Sequence, residues 1–348
     1  MNQFHALKVS AIQRLTPDSV RLTLDIPADL KSDFSFLPGQ YLSLETEIGG
    51  QSVRRAYSIC SASEQTALEV GVKKVPNGVF SSFVNDQLAV GDQLSVHLPE
   101  GRFVLDPSVE SGTYCAFASG SGITPVLSMI KSALKASDLN KFVLVYGNRS
   151  LNDTMFRSDL EELLTSYPER FKIEWMYSRE KQNNALFGRI QRSVVNYLLK
   201  NKYSEWNFDK FFICGPGEMI DEVADTLAER GIDQDAILFE RFTASEEGEE
   251  VAGAEGQIEM TVIVDDETDN FSCTSGTTIL QAVLDQGIDA PYSCQGGICS
   301  SCIAKVTEGR AEMQKNQILT DAEVADGLVL TCQAVPVTQK VVVDYDDV

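Results

Sequence analysis

Four cysteines near the carboxyl end of the chain restrict its fold more than any other feature. Cys294, Cys299 and Cys302 lie in the stretch PYSCQGGICSSC, and Cys332 follows in VLTCQAVP. The spacing C-x4-C-x2-C with a distant fourth cysteine is typical of plant-type [2Fe–2S] sites, where a glycine-rich loop points its backbone N–H groups at the sulfurs. The two glycines of the stretch supply the backbone freedom that such a loop requires. The pattern predicts a one-electron carrier held by these four thiolates.

Two other interpretations of the same cysteines are less well supported by the sequence. Structural zinc usually takes two matched C-x2-C pairs, whereas here three cysteines share one loop and the fourth stands alone. A redox dithiol in CSSC would require a surrounding thioredoxin-like βαβ unit, which the neighbouring sequence lacks. Zinc is therefore the main alternative to iron and sulfur.

Length, charge and composition limit the classes of function. A chain of 348 residues is long enough for two or three domains, and its net charge of −22 disfavours binding to nucleic acid or to an anionic membrane. The start, MNQFHALKVS, lacks the apolar run of a signal peptide, and no stretch approaches the roughly 18 apolar residues of a membrane span. We therefore expect a soluble, cytoplasmic protein. Only two histidines are present, which disfavours histidine-rich metal sites and a histidine-based triad.

The chain changes its pattern three times. Residues 1–108 alternate apolar and polar side chains, as in VRLTLDI, which predicts an antiparallel β-barrel or sandwich. Residues 109–243 alternate apolar runs with amphipathic segments, which predicts an α/β domain around a parallel sheet. Residues 244–256, ASEEGEEVAGAEG, contain five glutamates and no large apolar residue, so we interpret them as a linker. A smaller α+β module at 257–348 carries the cysteine cluster.

Short motifs mark the ends of several predicted strands in the first two domains. RAYS at 55–58 closes one strand, and NGVFSS and LPEGRF follow it. In ASGSGITPVLSMI, Gly120 and Gly122 lie between an apolar strand and a helix that opens at Thr124-Pro125. Free N–H groups at such a helix start can bind the pyrophosphate of a dinucleotide. ICGPGEM ends a later strand with Cys214.

Taken in this order, the motifs resemble those of the ferredoxin–NADP reductase superfamily over residues 1–243. The resemblance implies an FAD-binding barrel, an NAD(P)-binding α/β domain and, with the cysteine cluster, a β-grasp ferredoxin domain. It also implies that Arg55 pairs with the flavin pyrophosphate, that Tyr57 stacks on the isoalloxazine, and that Ser58 forms a hydrogen bond near its reactive nitrogen. Because a nicotinamide gives up a hydride and a [2Fe–2S] cluster accepts single electrons, a flavin must stand between them.

The resemblance assigns further residues to the two nucleotide cofactors. It implies that Ser58, Cys214 and Glu240 take part in hydride transfer, and that Cys214 lies against the nicotinamide. The wider set of implied cofactor-binding residues is Arg55, Ala56, Tyr57, Ser58, Val72, Lys73, Gly78, Val79, Phe80, Ser81, Gly120, Gly122, Thr124, Asn148, Arg149, Ser178, Arg179, Cys214, Gly215, Pro216, Met219 and Phe242.

The segment YSREKQN bears on the choice of nicotinamide cofactor. It resembles the S-R-E-Q segment of the superfamily, in which a serine and an arginine hold the 2′-phosphate, so Ser178 and Arg179 would take these roles. An arginine fork suits a phosphate group, and Arg149 in GNRS is a second candidate contact. The lysine and tyrosine that the family adds farther on have no clear counterpart in NNALFGRIQ. We expect NADPH, with NADH as the alternative.

The order flavin, nicotinamide, ferredoxin most resembles the reductase components of ring-1,2-phenylacetyl-CoA epoxidases. It implies that hydride passes from NAD(P)H to FAD and that single electrons leave through [2Fe–2S] for a di-iron oxygenase component in phenylacetate catabolism. Related reductases serve other oxygenases or a hybrid-cluster protein. A redox-sensing interaction protein is an alternative of another class. Residues 257–348 hold fifteen Asp and Glu but four Lys and Arg, which predicts a basic docking surface on the partner.

Overall fold

The computed structural model describes residues 4–65, 67–242, 251–254 and 256–348. The chain separates into two compact units. Residues 5–242 form the first, called the N-terminal unit below, and the described residues from 251 onward belong to the second, the C-terminal unit. Most of the predicted linker, residues 244–250 and 255, lies outside the described residues, as does residue 243.

An antiparallel sheet of six strands begins the N-terminal unit, in the order β4-β3-β6-β1-β2-β5. Its apolar residues recur at every second position, so that Val20, Leu22 and Leu24 of β2 are buried together in the barrel core. A bridge between Ile59 and Val70 joins the two edges and curls the sheet into a barrel. The elements are β1 (Phe4–Thr16), β2 (Ser19–Asp25), β3 (Tyr41–Ile48), β4 (Gln51–Ser58), β5 (Leu68–Lys73), helix α1 (Val79–Asp86) and β6 (Gln93–His97).

A parallel sheet of six strands follows, in the order β10-β9-β8-β7-β11-β12. The chain runs outward from β7 in one direction and then returns to place β11 on the other side of β7. This reversal makes a switch point, where ligands bind in sheets of this kind. The elements are β7 (Thr113–Ser119), α2 (Ile123–Ala136), β8 (Lys141–Asn148), α3 (Arg157–Ser166), β9 (Phe171–Tyr177), β10 (Leu186–Phe187), α4 (Arg192–Tyr197), β11 (Lys210–Gly215), α5 (Gly217–Glu229) and β12 (Ile237–Arg241).

The barrel and the parallel sheet share apolar packing. Cys60 and Phe103 from the barrel side belong to the same buried cluster as Ile130 of α2 and Phe212 of β11. A polar contact reinforces this packing, because Lys131 of α2 donates a hydrogen bond to the carbonyl of Cys60 at 3.2 Å. The two parts of the N-terminal unit are therefore joined by one shared apolar cluster, in addition to the separate core inside the barrel.

The C-terminal unit contains a mixed five-stranded sheet, in the order β14-β13-β19-β15-β17, and a two-stranded ribbon of β16 and β18. The long edge strand β14 is mostly exposed and carries acidic side chains, which discourages pairing with another chain. The elements are β13 (Gln257–Val264), β14 (Glu267–Thr274), α6 (Ile279–Asp285), β15 (Ile303–Glu308), β16 (Ala311–Met313), α7 (Asp321–Ala325), β17 (Leu328–Leu330), β18 (Ala334–Pro336) and β19 (Lys340–Asp344).

The predicted fold class is confirmed: an antiparallel barrel, a parallel α/β domain and an α+β module occur in that order. The described end of the predicted linker, residues 251–254, contacts the C-terminal unit, since the N–H of Ala254 donates to the carbonyl of Pro336 at 3.0 Å. The predicted limits at 108, 243 and 256 stay predictions. Within the described residues, no helix combines the length and the apolar character that crossing a membrane requires.

Candidate functional site

Two loops meet at the switch point of the parallel sheet. The loop after β7 turns through residues 120–122 into α2, and the loop after β11 runs from Cys214 through Pro216 into α5. Gly122 presses against the carbonyl of Cys214 so closely that an added Cβ would overlap it. Glycine is therefore required at position 122 by space, and the loop expected to hold a pyrophosphate touches the residue expected to lie against a nicotinamide.

The three predicted catalytic residues come together at this edge. Cys214 and Glu240 are register partners on the parallel strands β11 and β12. Ser58, at the end of β4 in the barrel, donates a hydrogen bond from Oγ to Glu240 Oε2 at 3.2 Å. The barrel and the parallel sheet thus contribute to one polar cluster, although Ser58 and Glu240 are 182 positions apart in the sequence.

Burial keeps this cluster neutral near physiological pH. Burial raises the pKa of Glu240 to about 8, against a smaller lowering by the hydrogen bond from Ser58. Burial also raises the pKa of the Cys214 thiol, and the neighbouring Glu240 raises it further. At pH 7 the site therefore offers a hydroxyl, a protonated carboxyl and a thiol rather than two anions.

The RAYS strand presents its side chains on two faces. Arg55 is exposed, with its guanidinium donating to the carbonyl of Arg54 at 2.6 Å, whereas Ser58 is buried. Tyr57 is half-buried and packs against Phe80 of α1, with 5.6 Å between ring centroids and 32° between ring planes. The strand therefore offers one cation to solvent and one supported aromatic ring.

The loop from Gly78 to Ser81, whose residues are among the predicted cofactor-binding residues of the barrel, is stabilised by its own serine. Gly78 precedes α1, and an added Cβ there would overlap the hydroxyl of Ser81. That hydroxyl accepts a hydrogen bond from the N–H of Val75 at 3.3 Å. The loop is thereby held compact at the start of α1, where free N–H groups favour an anion.

The carboxyl ends of β8 and β9 carry the predicted 2′-phosphate residues side by side. Ser178 N–H donates to the carbonyl of Asn148 at 3.0 Å, and Arg179 N–H donates to the carbonyl of Arg149 at 2.9 Å. Both arginine side chains are exposed. Asn148 is buried, and its side-chain Nδ2 has no hydrogen-bond partner in the described part of the chain. An orphaned donor beside two cations fits a site for an anionic, hydrogen-bonding ligand.

Several predicted cofactor residues do not present their side chains to this site. Val72 and Phe80 are buried in the barrel core, so only their backbones are available. Lys73 forms an ion pair with Asp18, with 3.9 Å between Nζ and Oδ2. Met219 packs against Gly215, and Phe242 is 38% exposed.

An exposed aromatic ring beside Lys181 was not predicted from the sequence. Phe187 of β10 is 56% exposed, and Lys181 Nζ lies 5.3 Å from the centroid of its ring. Phe187 lies in NNALFGRIQ, where no counterpart of the family's lysine and tyrosine was recognised, and Lys181 lies just before this stretch. The strand β10 has two residues, which is too short to give a periodic signal.

The four predicted metal-binding cysteines lie as two pairs. The Cys299 thiol donates to Cys294, and the Cys302 thiol donates to Cys332. The hydrogen bond from Cys299 lowers the pKa of Cys294 to about 6, aided by backbone N–H groups that include that of Gly296, 3.3 Å from Cys294 Sγ. The hydrogen bond from Cys302 likewise lowers the pKa of Cys332.

This arrangement fits a two-iron cluster. Nowhere in the described part of the chain do three His, Cys, Asp or Glu side chains come together to hold one ion. Two thiol pairs instead match a cluster in which each of two irons receives two thiolates, and N–H groups aimed at the sulfurs stabilise their negative charge.

Three family models match the chain. They are an oxidoreductase FAD-binding domain over residues 6–105, an oxidoreductase NAD-binding domain over residues 117–225, and a 2Fe-2S iron-sulfur cluster binding domain over residues 262–337.

Known proteins of similar length also match. One component of the 1,2-phenylacetyl-CoA epoxidase from Escherichia coli (strain K12) is 35% identical over 99% of this chain and 99% of its own. The ferredoxin reductase component of 3-ketosteroid-9-alpha-monooxygenase from Rhodococcus rhodochrous is 32% identical over 97% and 96%. The solved structure of phthalate dioxygenase reductase has a TM-score of 0.62 at 24% identity and covers 98% of both chains. This chain therefore belongs to the ferredoxin–NADP reductase superfamily, as an NAD(P)H-dependent flavin and iron–sulfur oxidoreductase with FAD-binding, NAD-binding and [2Fe–2S] domains in one polypeptide.

Proposed function

We propose that this chain is the reductase component of an oxygenase system, with NADPH as its electron donor and the di-iron component of a phenylacetyl-CoA epoxidase as its acceptor. The observation that carries the reductase function is the hydrogen bond between Ser58 of the barrel and Glu240 of the parallel sheet, with Cys214 beside them. This cluster lies where a flavin held by one domain and a nicotinamide held by the other would meet. The choice of epoxidase is supported by the full-length similarity to the Escherichia coli protein.

The barrel residues suit the flavin. When bound, the nicotinamide would supply a hydride, the flavin would accept its two electrons and release them singly, and the iron–sulfur cluster would carry them one at a time. The exposed Arg55 guanidinium would pair with the flavin pyrophosphate, together with the compact loop from Gly78 to Ser81. Tyr57, supported by Phe80, would provide the stacking surface.

The parallel sheet suits a dinucleotide. Gly120, Gly122 and Thr124 stand at the start of α2, whose first N–H groups would receive the pyrophosphate. Arg179 and Ser178 would hold the 2′-phosphate of NADPH, with Arg149 as a second cation. The orphaned Asn148 amide would donate to the same ligand. Two exposed arginines at the same edge of the sheet favour NADPH over NADH, because an arginine fork recognises a phosphate group.

The cluster of Ser58, Cys214 and Glu240 would position the nicotinamide and exclude water. The buried thiol of Cys214 provides a small apolar contact. The carboxyl of Glu240 is protonated, so it places no negative charge beside the flavin ring that would accept the hydride. Ser58 Oγ, already within hydrogen-bond distance of Glu240, would hold a proton near the reacting ring.

The C-terminal unit would deliver electrons. Cys294 and Cys299 would bind one iron, and Cys302 and Cys332 the other, following the two thiol pairs. None of the eight cysteines, all of which lie in the described residues, forms a disulfide, which fits a reducing compartment, and we infer a cytoplasmic protein.

An anaerobic titration of the purified protein with NADPH tests the proposal. We expect FAD and two irons per chain, bleaching of flavin and then cluster absorbance, and steady reduction of an artificial acceptor. Zinc in place of iron would overturn the cluster assignment. A protein reduced once without turnover would instead indicate a redox sensor.

The acceptor requires its own test. The purified oxygenase component of phenylacetyl-CoA epoxidase is added with its substrate, and substrate-dependent NADPH oxidation is measured. A hybrid-cluster protein and an unrelated oxygenase component serve as comparisons. Faster turnover with either comparison protein would overturn the epoxidase assignment and leave the reductase function standing.

A further inference from the structure

The residue directly after the fourth cysteine has a buried amide side chain that faces the cluster loop. Gln333 is 8% exposed. Its Nε2 lies 3.0 Å from the carbonyl oxygen of Cys332, 3.1 Å from the carbonyl oxygen of Gln295 and 3.6 Å from Cys332 Sγ. Two carbonyl oxygens require a donor, so the NH2 group rather than the amide oxygen faces them. The NH2 group has two hydrogens for three acceptors, so the N–H that points toward Cys332 is shared between the carbonyl oxygen and Sγ of that residue.

The surrounding backbone fixes this side chain in place. Gly297 has a φ of 72°, and an added Cβ there would lie 2.9 Å from Gln333 Cγ. Gln295 also takes a positive φ, 51°, and offers its carbonyl to the amide. On its other side, the carbonyl of Gln333 accepts a hydrogen bond from the N–H of Gln314 at 2.9 Å. Gln333 therefore joins the cysteine loop, the fourth cysteine and the segment that follows β16.

We infer that Gln333 is a positioning residue that raises the reduction potential of the cluster by donating a hydrogen bond to Cys332. The inference rests on the proposed role of the four cysteines as ligands. A donor to a ligand sulfur stabilises negative charge, and the reduced cluster carries one negative charge more than the oxidised one. Removing the donor therefore disfavours reduction. Gly296 also donates to a cysteine, but through its backbone, whereas the donor of Gln333 can be removed by substitution.

Gln333→Met tests the inference, because methionine has similar length and no N–H donor. At one fixed solution potential, we expect the ratio of reduced to oxidised cluster to fall by about three- to tenfold, where tenfold corresponds to about 59 mV for one electron. The matched control is Gln281→Met on α6, whose amide donates to Asp285 at an exposed position. The control should leave the ratio unchanged, and both variants should keep the flavin potential of the parent protein.

A spectroscopic measurement on the unchanged protein provides a second test. Protein labelled with 15N at the glutamine side-chain amides is reduced, and hyperfine coupling between 15N and the paramagnetic cluster is recorded. We expect a coupling that Gln281→Met retains. If Gln333→Met loses its cluster during purification, the 15N coupling in the parent protein is the test of the inference. Its presence supports the hydrogen bond from Gln333, and its absence overturns the inference.

The two proposals fail in different ways. A parent protein without iron overturns the ligand assignment itself. A parent protein with a normal cluster, whose reduced fraction is the same in Gln333→Met, overturns the role of Gln333 and leaves the proposed function intact.

Discussion

Cys214 in the N-terminal unit and Cys294 in the C-terminal unit show how the same side chain acquires opposite properties. Cys214 is fully buried on β11, and burial raises the pKa of its thiol. Cys294 lies on a loop, where the hydrogen bond from Cys299 and backbone N–H groups lower its pKa to about 6. The difference lies in the backbone, because a strand uses its N–H groups in the sheet whereas the loop can turn them toward sulfur. The backbone around a thiol, and not its burial alone, therefore determines the direction in which its pKa shifts.

The two regions also differ in charge. Residues 1–242 carry 31 acidic and 25 basic side chains, whereas residues 257–348 carry fifteen acidic and four basic ones. We expect the first region to use exposed arginines for phosphate-bearing cofactors and the second to use its acidic side chains for docking to a basic partner. The contrast between the thiols and the contrast in charge can each be tested by substitution.

Replacing a loop cysteine should have the largest effect. Cys299→Ser should abolish the cluster, because an iron would lose one of its two thiolates, while flavin reduction by NADPH persists in the N-terminal unit. Iron analysis and visible absorption measure the first effect, and stopped-flow reduction the second. Cys115→Ser, at a buried thiol on β7, is the matched control and should keep both irons. Simultaneous loss of flavin reduction in Cys299→Ser would show that the two units depend on one another.

The neutral carboxyl at the strand ends should give the next largest effect. Glu240 is protonated below a pKa of about 8 and ionised above it, so flavin reduction in the parent protein should slow as pH rises through about 8. Glu240→Ala should slow reduction by about 100-fold, because it removes the partner of Ser58 and opens space for water. Glu240→Gln keeps a neutral acceptor and should retain most of the rate at about pH 6.5, below that pKa, while losing the decline. A decline that survives in Glu240→Gln would assign it to another group.

The exposed arginine at the end of β9 should separate the two nicotinamide cofactors. Arg179→Ala should raise the KM for NADPH by an amount equivalent to about 1.5–3 kcal/mol, as for a lost charged hydrogen bond, and barely change the KM for NADH. Arg192→Ala removes an exposed arginine that pairs with Glu229 and serves as the control. Equal effects on both cofactors would indicate that Arg179 acts on folding or packing.

The buried thiol on β11 should have a smaller role than the loop thiols. Cys214→Ala should retain FAD and both irons but slow flavin reduction by about 10- to 100-fold, because misplacement of a reacting group by about 1 Å has effects of this size. Single-turnover reduction with NADPH measures the change. Unchanged kinetics would leave Cys214 as a packing residue, like Cys115.

The acidic C-terminal unit should give the smallest effect. Electron transfer to the oxygenase partner should slow by about three- to tenfold between low and physiological ionic strength, because salt screens the attraction to a basic docking surface. Flavin reduction by NADPH, measured in the same buffers, is the control for general salt effects. A flat profile for the partner step would mean that the charge serves solubility alone.

Local patterns in the sequence predicted much of the fold. The period of two in β2 and the apolar runs of β7, β8 and β11 were sufficient to distinguish the barrel from the parallel sheet. The spacing of the four cysteines likewise indicated a shared site, because three of them belong to one short loop. These features depend on neighbours in the chain, so no knowledge of tertiary structure was needed.

Contacts between distant segments were beyond the reach of such patterns. The hydrogen bond from Ser58 to Glu240 depends on the curvature of the barrel and on the register of β12 against β11. The donor position of Gln333 depends on the positive φ of Gln295, for which the sequence has no glycine to indicate it. The side chains of Val72 and Phe80 turn into the barrel core because their strand and helix must also supply apolar residues there.

The contact between Gly122 and Cys214 also determines how the chain can change over evolution. Gly120 has open space around its Cα but a φ of 57°, a conformation that asparagine tolerates, so packing within the protein does not require glycine there. Gly122 has an ordinary helical backbone and is limited by the neighbouring carbonyl instead. Any side chain there must displace β11, and with it the strand that carries Cys214. Position 122 therefore excludes every residue larger than glycine unless the backbone at Cys214 moves away.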